Sequence, residues 1–94
     1  MKNKKILFIE DEYDQIMVLK MRLEANGFEV VYAQDGIEGL QKVSSEKPDV
    51  VLLDLILPNM DGFEICRRLK SSALTSDIPV IIISAVGIKD IEQK

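Results

Sequence analysis

The sequence predicts an α/β fold built on a doubly wound parallel sheet, and three observations carry that reading. Short runs at residues 4–9, 50–53 and 80–83, apolar throughout apart from the leading Lys4 and Lys5, have the length and β-branched content of strands buried on both faces. Between them lie stretches with helical spacing and helix-capping residues. The two kinds of segment alternate along the chain, which calls for right-handed crossovers and a sheet covered on both sides.

The first run stops abruptly at Glu10, Asp11 and Glu12, as a buried strand does on leaving a sheet. Ile16, Leu19 and Leu23 then recur at helical spacing, and Asn26-Gly27 supplies a left-handed stop, so a helix is expected over roughly 14–26. Residues 28–32 read as the second strand. Asp35 and Glu38 stand at N-cap and N3 spacing ahead of Leu40 and Val43, which starts a second helix running to about Ser45. The third strand, 50–53, ends in Asp54, and Pro58-Asn59 breaks the chain after it. Asp61 and Glu64 repeat the capping spacing, and Phe63, Cys66 and Leu69 are expected to face inward from the third helix. The fourth run ends at Ser84, and Ile88 and Ile91 open what reads as a fourth helix.

With 94 residues, 47% apolar and 30% charged, the chain has room for one domain with a modest core. Lys, Asp or Glu interrupts every hydrophobic stretch before the ~18 apolar residues that a membrane span needs, so no membrane association is expected. The basic start is followed by only four apolar residues, 6–9, well short of the ~7–15 of a secretory signal, and a cytoplasmic location is expected. A single cysteine, Cys66, with no histidine in the chain, gives neither an internal disulfide nor a zinc or copper site. The net charge of −4 offers no field for nucleic acid, and Arg67, Arg68 and Lys70 read as a solvated helix face.

In an open parallel sheet, ligands bind beyond the carboxyl ends of the strands. Here those ends are polar: Glu10 and Asp11 follow the first strand, Asp54 the third and Ser84 the fourth. Carboxylates brought within a few ångströms of one another must take up a proton or be neutralised by a cation. An all-oxygen set with few carboxylates suits a hard ion, Mg²⁺ first, with Mn²⁺ able to substitute. A carboxylate beside such an ion can attack a phosphoryl group, because the ion offsets charge building on the phosphoryl oxygens. Asp54, alone at its strand end, is the candidate nucleophile, and Glu10 and Asp11, with Asp54 itself, are the candidate metal ligands.

These residues resemble the receiver domain of two-component response regulators. The likeness lies in Ile9-Glu10-Asp11-Glu12, in Leu52-Leu53-Asp54-Leu55, in Pro58-Asn59-Met60-Asp61-Gly62 and in Ile83-Ser84-Ala85, and it runs from Ile6 to the end of the chain. It implies a flavodoxin-like sheet of order 2-1-3-4-5. It further implies that Asp54 accepts a phosphoryl group from a phosphohistidine on a sensor histidine kinase or phosphotransfer protein, as a signalling phosphoacceptor rather than a turnover enzyme. By the same resemblance Asp11 binds metal, and Glu10 stands where the family more often has aspartate. Ile56 coordinates the ion through its backbone carbonyl, and the Ser84 hydroxyl bonds a phosphoryl oxygen.

Receivers normally continue into a fifth strand ending in lysine and a fifth helix. The chain is therefore expected to be a single receiver domain over 1–94, incomplete at its C-terminal end and lacking β5 and α5. The run 80–83 has no charge, proline or bulge within it, so self-association through this strand edge is expected. The leading alternative keeps the fold and drops the chemistry: a dimerisation or interaction fragment without competent phosphorylation. A haloacid-dehalogenase-type phosphatase fits less well, because Ile56 stands where its second aspartate belongs. A flavodoxin is disfavoured because Glu10-Asp11-Glu12 would repel a phosphate.

Overall fold

The computed structural model describes residues 3–54, 57 and 61–83. Ser84, Ile56, the Pro58-Asn59-Met60 stretch and the expected fourth helix lie outside the described residues. The elements are β1 (Lys5–Ile9), α1 (Tyr13–Ala25), β2 (Glu29–Ala33), α2 (Gly36–Glu46), β3 (Val50–Asp54), α3 (Gly62–Ser71) and β4 (Val80–Ile83). The four strands are parallel in the order β2-β1-β3-β4, which is the described part of the expected doubly wound topology.

Register divides the strand residues between two faces. Leu7 pairs with Val31 and Val51, and Ile9 pairs with Ala33 and Leu53. These side chains join Val43 of α2 and Ile65 and Leu69 of α3 in the main core. Ile6 and Phe8, one step out of phase, are equally buried on the opposite face, where α1 packs on β2 and buries Ile16. Burial on both faces explains why the strand runs are continuously apolar and do not alternate.

Helix ends follow from local chemistry, with some departures from expectation. Gly27, at φ +92°, turns the chain out of α1, and its N–H donates to the Glu24 carbonyl. α2 continues to Glu46 and ends on Lys47 in the left-handed region (φ 49°), with Pro48 preventing further helix. Asp35 and Asp61 both act as N-caps, accepting from the N–H of Glu38 and of Glu64. Neither box closes reciprocally. Glu38 reaches the N–H of Gln34, and Glu64 turns outward to Arg67 and Arg68. The two arginines are thus engaged along α3, and Lys70 bonds the carbonyls of Ser76 and Ile78.

The inward face of α3 differs from the expected stripe. Gly62, Ile65 and Leu69 are buried and Cys66 is half-buried, whereas Phe63 is 67% exposed. Apolar residues at 63, 65, 66 and 69 allow two stripes about one residue apart. The helix adopts the one that puts Ile65, not Phe63, against β3 and α2.

Candidate functional site

β1 and β3 are adjacent and in register up to the Ile9–Leu53 pair. One residue further on each strand stand Glu10 and Asp54, so the pairing itself sets two carboxylates side by side at roughly the 4.8 Å spacing of neighbouring strands. Asp11 follows as the chain turns into α1. Glu10, Asp11 and Asp54 each offer a carboxylate oxygen, and these oxygens all lie within 4.8 Å of one another. Glu10 is buried at 4% exposure, Asp54 is half-buried and Asp11 is exposed, so the cluster opens to solvent on one side.

The backbone around the cluster is firmly held. The Glu10 N–H donates to the Ala33 carbonyl (3.0 Å), extending the β1–β2 ladder one step past the strand. The Glu10 carboxylate folds back to accept from the Glu12 N–H (3.0 Å). That bond supplies an anionic acceptor at the start of α1, whose N-cap Glu12 makes no side-chain capping bond. After β3, Leu57 is buried in the main core, and Asp61 caps α3 without joining the acidic cluster.

Burial pushes the Glu10 carboxyl up to about 7, the Glu12 N–H opposes this, and the neighbouring Asp11 and Asp54 push it further upward. A buried carboxylate crowded by two others is the situation that a divalent cation relieves. The donor set, oxygen only and partly open to water, fits a hard ion of the Mg²⁺ type. No cysteine or histidine competes, since the chain has no histidine and Cys66 is on α3.

Of the residues singled out from the sequence, Glu10, Asp11 and Asp54 are thus brought together, while Ile56 and Ser84 lie outside the described residues. The last β3–β4 pair, Asp54 with Ile83, ends one residue before Ser84. The contact of Tyr13 with Tyr32, beside the acidic turn, had no signal in the sequence, because it joins the start of α1 to β2, with all the rest of α1 lying between them in the chain.

Among the described residues no helix is long and apolar enough to cross a membrane. A family model described as the response regulator receiver domain matches residues 6–94. The alkaline phosphatase synthesis transcriptional regulatory protein PhoP of Bacillus subtilis is 41% identical over 83 residues, 88% of this chain and 34% of that protein. The chain thus spans about a third of the length of the first curated relatives it matches. Among solved structures, the signal receiver domain of a signal transduction histidine kinase from Syntrophus aciditrophicus superposes with a TM-score of 0.82 at 35% identity, covering 85% of this chain and 61% of that one. The phosphorylated cyanobacterial phytochrome response regulator RcpA gives 0.81 at 33% identity, with 97% and 72% coverage. With its parallel sheet, its acidic cluster at the strand ends and these matches taken together, the chain belongs to the response regulator receiver domain family.

Proposed function

We propose that Asp54 is the phosphoacceptor of this receiver and that Glu10, Asp11 and Asp54 itself hold Mg²⁺. The observation that carries the reading is the convergence of the three carboxylates within 4.8 Å, with Asp54 half-buried at the end of an inner strand. A sensor histidine kinase or phosphotransfer protein presents a phosphohistidine. A carboxylate oxygen of Asp54 attacks its phosphorus, the new O–P bond forms as the N–P bond breaks, and the electron pair leaves on the imidazole nitrogen, which takes up a proton. Mg²⁺, when bound, offsets the charge that gathers on the phosphoryl oxygens. Ile56, through its backbone carbonyl, is proposed as a further ligand, and the Ser84 hydroxyl as donor to a phosphoryl oxygen. The chain serves as a signalling phosphoacceptor of the cytoplasm, receiving one group per cycle and turning over no free substrate.

Incubation with a small acyl phosphate and Mg²⁺ should add one phosphoryl mass, mapped to Asp54, and Asp54→Ala should abolish it. Labelling elsewhere, or none with Asp54 intact, would sink the assignment. The assembled cluster favours this reading over an interaction fragment without phosphorylation.

Self-association through β4 is proposed alongside. Ile81 and Ile82, whose side chains alternate between the two faces of an outer strand of the described sheet, are 51% and 40% exposed. A second copy of the chain is the proposed occupant of that edge. Sedimentation should show a dimer that Ile81→Lys dissociates, and a monomer at all concentrations tested would rule it out.

A further inference from the structure

The segment from Glu10 to Tyr13 is fastened at both ends to successive residues of β2. At its start the Glu10 N–H donates to the Ala33 carbonyl, 3.0 Å away. At its finish the ring of Tyr13 stands edge-on to the ring of Tyr32, with centroids 6.3 Å apart and planes at 76°. Tyr32 is itself held by a third element. Lys42 of α2 reaches round β2 to bond the Tyr32 carbonyl at 2.6 Å, lies 5.4 Å from the centre of its ring, and is paired with Glu38 at 3.4 Å. Edge-to-face aromatic pairs and a cation over a ring both have directional preferences, so the stack fixes an orientation as well as a distance.

α1 needs such a fastening. Its N-cap makes no side-chain bond, and the carboxylate that accepts from the Glu12 N–H, Glu10, belongs to the acidic cluster. If a cation draws Glu10 away from the Glu12 N–H, the tyrosine pair, beside buried Ile16, still ties the first turn of α1 to the sheet. Asp11, two residues before Tyr13 and exposed, lies within this bracketed segment.

We infer that Tyr13 and Tyr32 are positioning residues for the cation site: their stacking, backed by Lys42, holds Asp11 in place beside Glu10 and Asp54. The inference rests on the metal role proposed for those three carboxylates. Neither tyrosine touches the ion. They remove the ordering cost that a loose turn would meet on binding.

Calorimetric titration of the full 94-residue chain with Mg²⁺ alone tests this. Tyr13→Ala and Tyr32→Leu should each weaken Mg²⁺ binding by between about threefold and tenfold, the range that loss of one aromatic pair spans. Tyr13→Phe, which keeps the ring contact, should restore binding to within about twofold of the parent. Met21→Ala, an exposed position on the same helix, should leave binding unchanged, although it also trims α1. Should Tyr13→Ala not fold, Tyr13→Leu keeps an apolar cover, loses the ring and is read in its place. Parent-like binding by both ring-deleting variants, or equal weakening by Met21→Ala, would overturn the inference while leaving the metal role standing. Failure of the parent chain to bind Mg²⁺ would overturn the metal role and this inference with it.

Discussion

Gly39 of α2 lies so close to Ile9 of β1 that a Cβ at position 39 would meet Ile9 Cδ1 at 2.5 Å and Cγ1 at 3.0 Å. Ile9 is fully buried and immediately precedes Glu10, so it has little room to yield. Gly39→Ala would gain up to about 1 kcal/mol of helix propensity. Overpacking of a full core costs roughly 1–3 kcal/mol and should win. A lowered urea midpoint is expected, with a drop in Mg²⁺ affinity as the displaced Ile9 shifts Glu10. A more stable Gly39→Ala variant would show that the helix can slide without cost.

Glu10 should make the metal-free chain less stable as pH rises. Its folded-state value of about 7 lies above the ordinary 4.5, so between these the native state binds more protons than the unfolded chain. The contribution is whole below pH 4.5 and is lost as pH climbs through 7. Urea midpoints in chelator, read between pH 5 and 8.5, should fall, and Glu10→Gln should flatten that part of the profile. Millimolar Mg²⁺ should reverse the trend in the parent. A rising profile in chelator would contradict the burial argument.

Glu64 acts in the opposite sense. Arg67 and Arg68, hydrogen-bonded to it, hold its carboxyl down at about 2, so its contribution is present above pH 4.5 and fades as pH falls toward 2. The group is exposed to solvent and its pairs are screened, so Glu64→Gln should change the midpoint little at neutral pH and less still in 1 M salt. A large loss on that substitution would mean that the pairs matter far more than surface ion pairs do.

Asp61→Ala removes the acceptor for the Glu64 N–H at the start of α3. A loss of about 1 kcal/mol is expected, with Asp61→Asn or Asp61→Ser nearly neutral. Because Asp61 does not join the acidic cluster, Mg²⁺ affinity should hold. A weakened ion site in the alanine variant would show that the chain leading into α3 is coupled to the cluster.

What could be read from the sequence and what could not divide along physical lines. Apolar runs ending in carboxylates identify strands and their exits, and parallel pairing then brings Glu10 beside Asp54 without further information. Capping by Asp35 and Asp61 is local and was equally legible. Where Glu38 and Glu64 point was not, since a long carboxylate chooses among several donors within reach. Phe63 failed because two helical stripes fit α3 and the choice depends on how the core receives Ile65. The Tyr13–Tyr32–Lys42 stack joins three elements and left no periodic trace at all.

Lys5, at the amino ends of the strands, bonds the Glu46 carbonyl and carboxylate and pairs with Glu29, while its N–H donates to Asp49. That end of the sheet is cross-braced by opposite charges, whereas the other gathers like charges. The two ends should therefore answer differently when charge is added or relieved: phosphorylation should change amide exchange at Glu10 and Glu12, whose N–H groups are bonded within the acidic end, and leave exchange near Lys5 and Asp49 as it was. Exchange measurements before and after phosphorylation would read that one-sided response directly.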